Sequence, residues 1–156
     1  TSEPRKQDSR QVWFAGCHSD IGGGYPENDS GLSKYPLRWM IQQAKAHGLN
    51  VNTSMFNHLV EGKARRGSEH KYAEPSASAE LHISATRAWR ILEWLPKKER
   101  WREWPTRRGM FGCYLPRCEP RFIPEGARIH ESVLQRKEAM SAYRPQNLPA
   151  AYEVET

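Results

Sequence analysis

The residues best suited to chemistry fall between Val12 and Tyr25, in the run VWFAGCHSDIGGGY. An apolar segment, Gln11 to Cys17, leads straight into His18, Ser19 and Asp20, and then into Gly22, Gly23 and Gly24. An imidazole titrates near neutral pH and can take or return a proton during a reaction. A histidine at the C-terminal edge of a buried strand stands where open α/β sheets place the groups that meet ligands. Glycines beside it permit positive φ and close backbone approach. The same residues also fit a plain structural role. A lone histidine after a strand is often merely hydrogen-bonded, and a glycine triplet is often merely a turn.

Three sharper alternatives are weak. Cys17 and His18 are neighbours, and neighbouring strand residues point to opposite faces, which disfavours a thiol–imidazole nucleophile pair. His18 and Asp20 share a face in an extended chain, but two ligands alone make a poor metal site. GGGY lacks the spacing and the helix start of a GxGxxG phosphate loop. The three cysteines, Cys17, Cys113 and Cys118, form neither an even disulfide set nor a CxxC zinc motif. No metal or cofactor is expected.

A second signal is electrostatic. Residues 87–128 hold 11 Arg or Lys against 5 Glu, which accounts for the whole net charge of +6. Trp89, Trp94, Trp101 and Trp104 lie in the same segment. The plain expectation is a solvated basic face with its tryptophans in the core. Basic residues interleaved with Trp also suit an anionic membrane surface. Arg100, Trp101, Arg107 and Arg108 are the candidate contacts, and no nucleic-acid partner is expected.

Elements must position these groups. Gln11–Cys17 reads as a buried strand, apolar on both faces. Residues 22–31 carry loop chemistry. Leu37, Met40, Ile41 and Ala44 repeat at helical spacing and predict a helix near 34–47. Ser33 would be its N-cap, Pro36 would fit its first turn, and Gly48 would end it. Residues 50–60 suggest a short helix or turn, 61–80 a surface loop, 81–95 a helix, and 129–142 a closing helix. Pro105, Gly109, Gly112, Pro116, Pro120, Pro124 and Gly126 exclude any long regular element between 96 and 126. His47, His58, His70 and His82 stand alone and receive no role, and His130 reads as structural. One convincing strand cannot satisfy its own backbone, so partners must be hidden in the irregular half or lie outside these residues.

Composition sets outer bounds. Leu, Ile, Val and Phe make up 16% of the 156 residues, which approaches the range of disordered chains. Six Trp and six Tyr argue against disorder. No run nears 18 apolar residues, so a transmembrane helix is not expected. The polar first ten residues are not a signal peptide.

VWFAGCHSDIGGGY resembles the signature of the α/β-hydrolase-like family called domain of unknown function 2235. That family includes the catalytic domains of bacterial type VI secretion phospholipase effectors. The likeness continues through LSKYPLRWMIQQAKAHGL, LHISATRAWRILEWLPKK, EPRFIPEGARIHESVLQR and YRPQNLP. It implies an α/β-hydrolase fold, a serine nucleophile in a GFSRGA-type elbow, and a triad in the order Ser, acid, His. His18 matches the catalytic histidine. Asp20 and Gly22 to Gly24 match the loop behind it, with Asp20 holding that loop or the imidazole.

No GxSxG occurs among the 156 residues. The resemblance therefore implies the C-terminal portion of such a domain. Residues 1–10 would be a linker, 11–152 the domain part and 153–156 a tail. The nucleophile, the triad acid and the strand's neighbours would lie upstream of Thr1. The implied activity is hydrolysis of esters, foremost lipids, by the longer chain, with the piece alone inactive. The implied location is cytoplasmic or exported by type VI secretion. The rival is a non-catalytic basic module that docks on an anionic membrane or another polyanion.

Overall fold

The computed structural model describes residues 9–84, 87–105 and 109–156. The fold is mixed α/β, built on a three-stranded parallel sheet. Strand β1 is Val12–Trp13, β4 is Ala127–His130 and β5 is Tyr152–Glu155. Their order is β1-β4-β5, with Val12 opposite Arg128, Trp13 opposite Ile129 and Ala127 opposite Tyr152. A separate antiparallel ladder joins β2 (Lys97–Lys98) to β3 (Cys113–Tyr114). The helices are α1 (His18–Gly22), α2 (Lys34–Ala46), α3 (Thr53–Leu59), α4 (Arg87–Leu92) and α5 (Glu131–Ala139).

The sheet places one neighbour of β1 inside this chain, where the expectation put its neighbours upstream. Its partner β4 comes from the irregular half, and β5 comes from the stretch read as a tail. The expected strand over 11–17 is also shorter, because only Val12 and Trp13 pair and the chain turns at Gly16, where φ is +125°. Residue 129, expected to open the closing helix, instead sits in β4. Ile129 is the most deeply buried large side chain described, at 1% exposure, and packs with Ala15 and Val133. Trp13, Ile123, Tyr143, Leu148 and Tyr152 close around them. Half-buried aromatics thus supply apolar area that the scarce aliphatics do not.

Helix α2 begins and ends near the expected residues, but its inner face differs. Leu37 and Met40 are 43% and 59% exposed, whereas Tyr35, Pro36 and Trp39 are buried. Polar tips decide this. The Tyr35 hydroxyl donates to Gln135 of α5 at 3.3 Å, and the Trp39 indole N–H donates to Glu155 of β5 at 3.1 Å. Turning the aromatic side inward satisfies these donors and still buries two rings. Ser33 occupies the cap position, but its hydroxyl donates to the Ser30 carbonyl and does not cap the helix. Gly48 follows the helix end with φ +95°, as a left-handed terminator requires.

Residues 53–59 form the short helix expected there, capped by Asn52, whose side chain accepts from the Met55 N–H at 3.0 Å. Residues 61–80 are irregular, as expected. The helix expected over 81–95 spans only Arg87–Leu92; residues 81–84 are irregular, and 85–86 lie outside the described residues.

His130 joins the sheet to α5. Its Nδ1 accepts from the Ser132 N–H at 3.1 Å, which makes it the N-cap, and its ring stacks on Phe14 with centroids 4.6 Å apart. Burial pushes its pKa down, with Arg38 adding to that and Glu131 and Glu155 opposing. The folded protein therefore holds this imidazole neutral, and a neutral Nδ1 is what the cap needs. The unfolded chain takes up a proton as pH drops below about 6.5, so this group's contribution to stability declines from there towards its lower folded pKa. His130→Asn keeps a good cap but does not titrate. Urea midpoints of the wild type should fall more steeply below pH 6.5 than those of His130→Asn. Parallel slopes would contradict this assignment.

Candidate functional site: the His18 loop and its cleft

The loop after β1 is shaped by one close approach. A Cβ on Gly16 would lie 2.4 Å from the Asp20 Cβ, so only glycine fits there. The chain then enters α1, a single helical turn. Asp20 Oδ2 accepts from the Cys17 N–H at 2.9 Å and ties the turn's start to its own third residue. Gly22 ends α1, and Gly23 and Gly24 follow with φ of +78° and +155°, so two of the three glycines need left-handed backbone.

This helical turn corrects the expectation of an extended chain. Two residues apart on a helix lie about 200° apart around its axis. His18 and Asp20 therefore point to opposite sides. His18 is exposed, whereas Asp20 is buried at 2% exposure.

The partner of Asp20 is His82, which the sequence did not single out. The His82 Nδ1–H donates to Asp20 Oδ1 at 2.6 Å, and the His82 backbone N–H donates to Oδ2 at 3.2 Å. The His82 ring stacks on Tyr25 with centroids 3.6 Å apart and an interplanar angle of 18°. The Tyr25 hydroxyl in turn meets Cys17 Sγ at 3.4 Å. Burial works to raise the Asp20 pKa, but the hydrogen bonds from Cys17 and His82 outweigh it and the net shift is downward. Asp20 is thus a buried carboxylate held ionised by donors from both sides of the loop. It holds an imidazole, but that imidazole is His82. Sixty-two residues separate the two, and no local pattern marks the pairing.

His18 and His82 both line one cleft of about 930 Å³. Its apolar wall includes Trp13, Ile123, Ile129 and Leu148, and Arg121 and Arg144 add cationic groups. An apolar cleft with a few convergent polar groups is the usual form of a small-molecule site. Among the described residues no three His, Cys, Asp or Glu side chains gather as a metal site.

Besides lending Arg121 and Ile123 to this cleft, the basic segment differs from its plain expectation. Trp94 and Trp101 are not in a core: Trp101 is 63% exposed, with the Arg100 guanidinium 5.1 Å from its ring centre. Arg117 lies 5.5 Å from the exposed Trp94 ring. Phe111, in the turn before β3, is 95% exposed. Arg107 and Arg108 lie outside the described residues. Among the described residues no helix is long and apolar enough to cross a membrane.

The chain matches no curated protein and no solved structure. Residues 1–43, which carry β1, the His18 loop and most of α2, match the family model described as T6SS, Phospholipase effector Tle1-like, catalytic domain. This N-terminal stretch is thus similar to the catalytic part of secreted lipid hydrolases.

Proposed function

We propose that this chain is the C-terminal part of a serine-type hydrolase of lipid esters, in which His18 is the general base. The observation that carries the proposal is the placement of His18. It is exposed on the wall of a largely apolar cleft, within the residues that match a phospholipase catalytic model.

In this mechanism the His18 imidazole takes the serine hydroxyl proton as the oxygen attacks the ester carbonyl carbon. The tetrahedral intermediate collapses, the ester C–O bond breaks and the proton passes to the departing alkoxide. Water then attacks the acyl-enzyme by the same route, giving its proton to His18 and releasing the acid and the serine. The apolar wall of Trp13, Ile123, Ile129 and Leu148 suits an acyl chain. Asp20 is committed to His82 and Cys17 on the far side of α1, so the acid behind His18 comes from elsewhere in the domain. No GxSxG is present in these residues; in this proposal the serine and the acid are contributed by chain preceding Thr1.

A fluorophosphonate probe, which modifies activated serines, tests this arrangement. The 156-residue protein should remain unlabelled, and a chain extended through the preceding coding sequence should label. Labelling of the 156 residues alone would place the nucleophile inside them and overturn the proposal.

A further inference from the structure

We infer that His82 is a positioning residue for His18, acting through Asp20. This rests on the role proposed above for His18 and adds to it the group that sets its geometry.

His18 has no anchor of its own: its side chain is exposed, and among the described residues it makes no hydrogen bond. Its direction is therefore set by α1. That helix has five residues, too few to be stable by its own hydrogen bonds. Its one buried residue is Asp20. Asp20 is a carboxylate, and a carboxylate stays in the interior only while donors satisfy it. Two of its donors belong to His82, the ring Nδ1–H and the backbone N–H. The others come from Cys17, foremost its backbone N–H at 2.9 Å.

The arrangement also closes on itself. Tyr25, just after the glycine triplet, covers the other side of the His82 ring and reaches back to Cys17. His82 therefore touches the buried middle of α1 and the far end of the loop that presents His18, while standing on the wall of the same cleft. Remove its ring and Asp20 loses its shortest hydrogen bond, Tyr25 loses its stacking partner, and α1 is free to reorient. A shift of about 1 Å in a group that must meet a reacting atom costs on the order of 10²-fold in rate.

The conservative variant is His82→Asn, whose side-chain amide offers an N–H close to the position of Nδ1–H but has no ring and no titration. In the extended, serine-bearing chain, His82→Ala should lower kcat about 10²-fold with KM within about twofold of wild type. His82→Asn should recover most of that loss. In the 156-residue protein, the His18 ring Cε1–H NMR signal should move or broaden in His82→Ala and return in His82→Asn. Wild-type kcat in His82→Ala alongside a dead His18→Ala would overturn the positioning role and leave the base assignment standing. Equal damage in both His82 variants would overturn it too, because general loss of structure, not the donor to Asp20, would then be at work. If His18→Ala keeps its turnover, the base assignment falls, and the NMR comparison still decides whether His82 governs the His18 ring. If His82→Ala does not fold, His82→Asn decides the matter by both measurements: near-wild-type kcat and an unmoved His18 signal support the positioning role, and loss of both overturns it.

Discussion

In the serine-bearing chain, His18→Ala should lower kcat/KM for a lipid ester by roughly 10²–10⁴-fold, the usual contribution of a positioned general base. At 1.36 kcal/mol per decade this corresponds to about 3–5 kcal/mol of lost transition-state stabilisation. Fold stability should hardly change. The His18 side chain is exposed and, among the described residues, makes no hydrogen bond, and surface substitutions of that kind usually stay within about 0.5 kcal/mol. The combination of large kinetic loss and small stability change separates a chemical role from a structural one. Turnover within threefold of wild type would remove His18 from the mechanism.

The largest stability effect is expected at Arg136. It is buried at 3% exposure in α5, and its Nη1 donates to the Ala77 and Ala79 carbonyls, both at 2.7 Å. The guanidinium also lies 5.0 Å from the centre of the Tyr143 ring. Hydrogen bonds from a charged group contribute about 1.5–3 kcal/mol each, and acceptors stranded in the interior carry a further penalty. Arg136→Ala should therefore destabilise the protein by about 3–5 kcal/mol, read from the urea midpoint at constant m. That is a large share of the roughly 5–15 kcal/mol total typical of a domain. Arg136→Lys should restore only part, because a single ammonium does not reproduce the planar fork. A loss below about 1 kcal/mol for Arg136→Ala would show that water replaces these bonds without cost. The effect reaches the site as well, since residues 77–79 lead directly to His82.

How far the sequence foretold all this depends on the range of the deciding contacts. The loop at 16–24 was legible because its chemistry is local: the glycines, the histidine and the aspartate are consecutive. The bounds of α2 were legible for the same reason. Its buried face was not, because that face is chosen by Gln135 and Glu155, which lie 100 and 116 residues from their partners. Strand β4 reads Ala-Arg-Ile-His, with a single large aliphatic, and does not announce itself as a strand, whereas β5, Tyr-Glu-Val-Glu, carries a period-2 alternation that was passed over because it is only four residues long. Both become strands because each completes the other's backbone pairing. The likeness to phospholipase effectors was read across five motifs between residues 12 and 149, whereas the family model matches residues 1–43, which hold the first motif and part of the second. Trp94 and Trp101 were misplaced because composition does not distinguish a buried ring from an exposed one.

The order of the sheet has a consequence for synthesis. Strand β1 leads into the His18 loop, yet the residues that pair with it, Arg128 and Ile129, are made 116 positions later. At roughly 5–20 residues per second, Val12 waits about 6–23 s on the ribosome for its partner. Strand β4 in turn waits for β5. The platform beneath the His18 loop therefore forms well after the loop itself has been made. Such non-local pairing is slow to close. It keeps the cleft unassembled until β4 and β5 have emerged.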